Sequence, residues 1–167
     1  MKVYIQDIRN YEGILPNNIF VDQIKDFKNE LLNKQNHTAW TMLYNILKEE
    51  YNIKDFNVYY KATSKPYLKG IYFNISHSLN LVAIVISNEE CGIDIECINQ
   101  TKNIERITKH FNINSDDEFY EKWTRKEAYL KKIGTGIKIS SLFEEVNDIT
   151  TEKVEDSTGN IYYISYC

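Results

Sequence analysis

The run Leu81-Val82-Ala83-Ile84-Val85-Ile86-Ser87 places the tightest limit on what this chain can become. A membrane span needs about 20 apolar residues, so this one is far too short to cross a bilayer. It is also too uniformly apolar for a strand with one wet face, and reads as the more fully buried strand of a sheet. Phe56, Val58 and Tyr60 suggest an earlier strand, Ile71, Phe73 and Ile75 another, and Val3, Ile5 and Ile8 an extended segment at the start. From Asp22 to Tyr51 the apolar residues Ile24, Phe27, Leu31, Leu32, Trp40, Leu43 and Leu47 recur at helical spacing, with a break expected near Asn33 to Asn36. Beyond the apolar run, Ile93 to Glu96 reads as a strand, and helices are expected over about 103–111 and 116–133. Gly134-Thr135-Gly136 ends the second of these, glycine being the usual residue at a left-handed helix exit. The segment 143–166 reads as a hairpin turned around Ser157 to Asn160. Strands in succession with attached helices make an α+β chain.

At 167 residues the chain fits one domain, or two small similar halves sharing a core. Its 43% hydrophobic and 26% charged residues suit a soluble folded protein. A net charge of -4 argues against a general nucleic-acid binder, because counterion release requires a basic surface. The N-terminus lacks a signal-peptide core, so the expected location is the cytoplasm, with no membrane partner. Cys91, Cys97 and Cys167 have no CxxC spacing and read as free thiols. His37, His77 and His110 have no paired-ligand spacing either, so any metal here is expected on oxygen ligands. The turn from Asn88 to Gly92 is the expected seam between an N-terminal half, 1–89, and a C-terminal half, 90–167.

Three segments could carry chemistry. In Gly92-Ile93-Asp94-Ile95-Glu96, strand alternation sets both carboxylates on one face and both isoleucines on the core side. Two adjacent acids repel unless a cation neutralises them, and paired carboxylates are a common way to hold Mg²⁺ beside a phosphate. An edge strand with a solvated acidic face gives the same pattern. In Trp123-Thr124-Arg125-Lys126-Glu127-Ala128-Tyr129-Leu130-Lys131, helical spacing aligns Trp123, Glu127 and Lys131 in one stripe. That stripe fits either a third metal ligand with a phosphate clamp or an ordinary Glu-to-Lys pair. Ser64-Lys65-Pro66-Tyr67 and Phe73-Asn74-Ile75-Ser76-His77-Ser78 supply a cation, hydroxyls and an imidazole, all suitable donors to phosphate oxygens.

The order KPY, FNISHS, GIDIE, WTRKEAYLKK and GTG, from about Ser64 to Ile137, resembles the 4′-phosphopantetheinyl transferases of the surfactin-synthetase-activating type. The resemblance implies a pseudo-dimer of two similar α+β halves, here with a shortened second half, acting as a monomer with its active site between the halves. It implies Asp94, Glu96 and Glu127 as Mg²⁺ ligands, and Lys131 as a catalytic residue on the pyrophosphate of coenzyme A. It further implies Ser76 and His77 at the 3′-phosphate and Lys65-Pro66 at the nucleotide edge. The carrier-protein serine would attack the β-phosphorus of coenzyme A and 3′,5′-ADP would leave; Glu127 or a metal-bound water are the candidate bases.

Two regions depart from the family. Lys34-Gln35-Asn36-His37-Thr38 stands where a helix with a 3′-phosphate-binding arginine is usual, and Lys25, Lys28 or Lys34 are possible substitutes. The interval from Glu96 to Glu127 is short, around Asn112 to Asp117, where such enzymes often meet the acyl or peptidyl carrier protein. The rival readings are the trimeric holo-acyl-carrier-protein synthase type and a noncatalytic coenzyme A-binding or carrier-binding module.

Overall fold

The structure is a computed structural model that describes residues 1–98, 113, 115–135 and 145–167; the helix expected over about 103–111, and Gly136, lie outside them. Five strands form the first sheet: β1 (Lys2–Asp7), β2 (Tyr59–Tyr60), β3 (Pro66–Leu68), β4 (Ile71–Ser78) and β5 (Leu81–Ser87). Their spatial order is β1-β5-β4-β3-β2, with every pairing antiparallel. The apolar run is β5, and it is covered on both faces. Val82, Ile84 and Ile86 pack with Trp40, Leu43 and Leu47 of helix α1 (Glu30–Glu49). Leu81, Ala83 and Val85 pack in a second core with Ile93, Ile95, Tyr162 and Ile164.

That second core belongs to a three-stranded antiparallel sheet in the order β6-β8-β7, built from β6 (Ile93–Cys97), β7 (Thr150–Glu155) and β8 (Ile161–Tyr166). Helix α2 (Asp116–Ile133) covers its far side, so the layers run α1, five strands, three strands, α2. The α+β reading, the helix over 116–133 and the C-terminal hairpin all stand. Among the described residues the second half is the smaller, with three strands to the first half's five. No described helix is long and apolar enough to cross a membrane.

Two expectations need correction. The helix does not begin at Asp22, and it does not break at Asn33 to Asn36. It starts at Glu30, where the Asn29 side chain accepts the N–H groups of Leu31 and Leu32. The polar run lies inside the helix and holds neighbouring chain. Asn33 bonds both the N–H and the carbonyl of Phe27, Asn36 bonds Lys25 and Gln23, and Gln35 donates to the Leu79 carbonyl. Residues that favour turns in isolation are here retained by tertiary partners. The strand expected from Phe56 shrinks to Tyr59–Tyr60, because Phe56 and Val58 pack on the first core without pairing to a strand.

A buried carboxylate joins the two sheets away from the acidic pair. Asp156 Oδ1 accepts from Thr158 and the Asn160 N–H, and Oδ2 accepts from Asn80, Asn160 and Tyr162. The Arg9 guanidinium, itself paired with Asp7, lies 3.4 Å from it. Burial pushes the Asp156 carboxyl up, but the donors from Asn160, Asn80 and Thr158 outweigh it and hold the group far below the ordinary carboxylate range. A depressed folded-state pKa contributes stability above the unfolded value of about 4, lost as pH falls below it. Asp156→Asn is expected to lower stability at pH 7 and to flatten the acid limb of a stability-versus-pH curve measured by urea titration. An unchanged acid limb would remove Asp156 from this role.

Candidate active site

Strand β6 delivers the alternation that its sequence implies. Ile93 and Ile95 are buried in the second core, while Asp94 and Glu96 face the other way, toward α2. The glycine that precedes them has a steric reason. A Cβ on Gly92 would stand 2.0 Å from the Ala128 carbonyl oxygen and 2.6 Å from the Lys132 nitrogen, so only glycine lets the helix backbone pass this close.

Helix α2 is fixed at both ends. Ser115 caps it by accepting the Glu118 N–H, and Asp116, Asp117 and Glu118 in the first turn and Lys131 and Lys132 in the last suit its dipole. Gly134 ends it with φ +71°, in the left-handed region. Along its length Thr124 meets Ser165 at 2.8 Å, Trp123 stacks on Phe119, and Arg125 donates to the carbonyls of Val146 and Ile149. Glu127, half-buried, lies one turn before Lys131 on the same stripe.

Asp94 is the centre of the site and is only 5% exposed. Its Oδ1 accepts from Lys131 Nζ at 2.6 Å and from Ser76 Oγ at 3.0 Å, and Lys131 also donates to Ser76 Oγ at 3.0 Å. Its Oδ2 is buried and has no hydrogen-bond partner among the described residues. Burial raises the carboxyl above its ordinary pKa, and Lys131 opposes that rise. Glu96 Oε2, on the same face of the strand, accepts from Ser78 Oγ at 3.1 Å.

The remaining expected residues are placed differently from one another. The Lys65 ammonium is buried and donates to the carbonyls of Cys91 at 2.6 Å and Lys132 at 3.0 Å, with Glu90 at 3.4 Å. It thus ties the end of α2 to the start of β6, and burial lowers its pKa. Pro66 pairs with Tyr60 at the sheet margin. Ser76 and His77 are consecutive in β4, so alternation turns them to opposite faces, Ser76 toward Asp94 and His77 toward the α1 side. Burial first, then the charge of Lys131, lowers the His77 pKa. All three cysteines are buried and none is in a disulfide among the described residues, and burial pushes the Cys91 thiol up to about 11.

Among the described residues no three His, Cys, Asp or Glu side chains are already grouped as a metal cage. The donor chemistry nonetheless fits a hard divalent cation: two carboxylates share one face, and Asp94 Oδ2 is a buried acceptor without a donor. Sequence reasoning offered Ser78 only as one of the hydroxyls suited to phosphate and missed its bond to Glu96, although its spacing of two from Ser76 was the available signal. It also missed the use of Lys65 as a helix tether, for which the sequence carries no sign.

Residues 90–165 match the family model of the 4′-phosphopantetheinyl transferase superfamily. The chain is also similar to phosphopantetheinyl transferases of the surfactin-synthetase-activating type, in keeping with its motifs. It is 35% identical to 4′-phosphopantetheinyl transferase gsp of Aneurinibacillus migulanus, over 60% of this chain and 49% of that one. It is 34% identical to 4′-phosphopantetheinyl transferase HetI of Nostoc sp., over 47% of this chain and 41% of that one. To 4′-phosphopantetheinyl transferase Sfp of Bacillus subtilis it is 33% identical, over 44% and 38%. The chain spans about half or less of the length of these relatives. The mixed architecture with antiparallel sheets agrees with the fold of this family, the second half being short.

The geometry generates two expectations. Gly92→Ala should destabilise by about 3 kcal/mol through overpacking against α2, read from the urea midpoint, and an unchanged midpoint would contradict the close approach. Lys131→Met removes the cation that opposes the rise of the Asp94 pKa. A raised folded-state carboxyl binds protons that the unfolded chain has released, so the variant should lose more stability than the parent as pH rises above the ordinary carboxylate range. Matching pH profiles for the two proteins would dismiss that coupling.

Proposed function

We propose that this protein transfers the 4′-phosphopantetheine arm of coenzyme A to a serine of an acyl or peptidyl carrier protein and releases 3′,5′-ADP. One observation carries the reading. A buried aspartate has one oxygen clamped by Lys131 and the other without a donor among the described residues, on the strand and helix that carry the family's two motifs. A magnesium ion held by Asp94, Glu96 and Glu127 would neutralise the pyrophosphate charge as the leaving group departs.

The serine oxygen forms its bond to the β-phosphorus as the bond from that phosphorus to the bridging oxygen of 3′,5′-ADP breaks, and Glu127 takes the serine proton. Lys131, whose side chain is 30% exposed, reaches a pyrophosphate oxygen by turning away from Asp94. Ser76 and His77 serve the 3′-phosphate region from the two faces of β4, and Pro66 the nucleotide edge, with Lys65 supporting it by holding the end of α2 against the start of β6. Phosphoryl transfer asks little covalent work of a protein, so positioning and charge neutralisation supply most of the rate. The working form is a monomer in the cytoplasm.

A second reading, a noncatalytic coenzyme A-binding or carrier-binding module, is favoured by the lack of a ready three-carboxylate group among the described residues. Intact-protein mass spectrometry separates the two. Several apo carrier proteins incubated with this protein, coenzyme A and Mg²⁺ are expected to gain one phosphopantetheine, suppressed by EDTA. Asp94→Asn should cut the rate at least about 100-fold, or about 2.7 kcal/mol of transition-state stabilisation. Coenzyme A binding by calorimetry without any mass gain would select the module.

A further inference from the structure

Strand β6 is an outer strand of its sheet, yet its free edge is buried against β4. The N–H groups of Ile93, Ile95 and Cys97 point away from β8 and need acceptors. They find side chains, not a strand backbone. Asn74 Oδ1 accepts from Ile93 at 2.9 Å, Ser76 Oγ from Ile95 at 3.3 Å, and Ser78 Oγ from Cys97 at 3.0 Å. Alternate residues of β4 thus serve alternate residues of β6, and the polar face of FNISHS becomes a comb that fixes the register of the acidic strand.

The two serines also act on the acids themselves. A hydroxyl has one proton and two lone pairs, so a serine that accepts a backbone N–H still has its proton to donate. Ser76 gives that proton to Asp94 Oδ1 at 3.0 Å, and Ser78 gives its own to Glu96 Oε2 at 3.1 Å. Ser76 additionally receives Lys131 and is already assigned to substrate binding above. Ser78 is 4% exposed and makes only the backbone and carboxylate bonds, so its chemistry is orientation. Asn74 serves the Ile93 backbone alone and lacks a hydroxyl to pass on, which makes it the internal comparison.

We propose that Ser78 is a positioning residue for Glu96: by accepting the Cys97 N–H and donating to Glu96 Oε2, it holds that carboxylate in the orientation that receives the divalent ion. This rests on the reading of Glu96 as a metal ligand. Partners that orient a ligating carboxylate typically change metal affinity by about 10- to 100-fold when removed.

The test is Mn²⁺ binding followed by electron paramagnetic resonance, with coenzyme A present and no carrier protein, on the parent, Ser78→Ala, Ser78→Thr and Asn74→Ala. Ser78→Ala is expected to bind Mn²⁺ about 10-fold or more weakly. Ser78→Thr, which keeps the hydroxyl, should restore the affinity, and Asn74→Ala should lose thermal stability while keeping it. In transfer assays the Ser78→Ala loss should fall on kcat, with KM for coenzyme A little changed. A folded Ser78→Ala protein with parental Mn²⁺ affinity would overturn the proposal, as would an equal loss of affinity in Asn74→Ala. Should Ser78→Ala not fold, Ser78→Cys, a weaker donor of similar size, carries the same expectation. A parent that binds Mn²⁺ but transfers nothing defeats the proposed activity and leaves the Ser78 comparison intact. A parent that binds no Mn²⁺ overturns the role of Glu96 and Ser78 together.

Discussion

A carboxylate almost closed to solvent is costly unless it is compensated, and the structure is organised around compensating Asp94. The ammonium that does so comes from the last turn of α2, so the helix must lie close to β6. Gly92 makes that approach possible, and Lys65 holds it by bonding the carbonyls of Cys91 and Lys132 at once. The other donor, Ser76, belongs to the first sheet. The acid is therefore satisfied only when strand, helix and opposite sheet are all in place, and one of its oxygens still lacks a donor among the described residues.

The same dependence explains which features were legible in the sequence. Period-two alternation in GIDIE foretold that Asp94 and Glu96 share a face, because strand geometry leaves no other choice. The bounds of α2 were legible because Ser115 and Gly134 are local signals, and the hairpin of β7 and β8 because its turn is. The polar run Asn33 to Asn36 misled because its residues are turn-formers by local chemistry, while their partners here are a loop and the Leu79 carbonyl. Phe56 and Val58 misled in the opposite sense, being strand-like residues used for core packing.

The functional residues divide along the same line. Which lysine pairs with a buried carboxylate and which ties a helix end is decided by contacts distant in sequence, so the sequence does not tell how Lys65 and Lys131 are used in the fold. The hydroxyl of Ser78 and the carboxylate of Asp156 were unremarkable in sequence for the same reason: their partners arrive from other elements.

The position of β8 beside β6 has a consequence for synthesis. All five strands of the first sheet, and α1, are complete by Ser87, so that half can form while the rest of the chain is still being made. The face of β5 carrying Leu81, Ala83 and Val85 then waits, apolar and uncovered, for Tyr162 and Ile164 to emerge. Until β8 has left the ribosome, β6 lacks the strand it pairs with and the acid pair has no fixed place. Nascent chains stalled between Lys131 and Ile161 would therefore carry both motif segments without an assembled site, and this interval is where a chaperone would find the most exposed apolar surface.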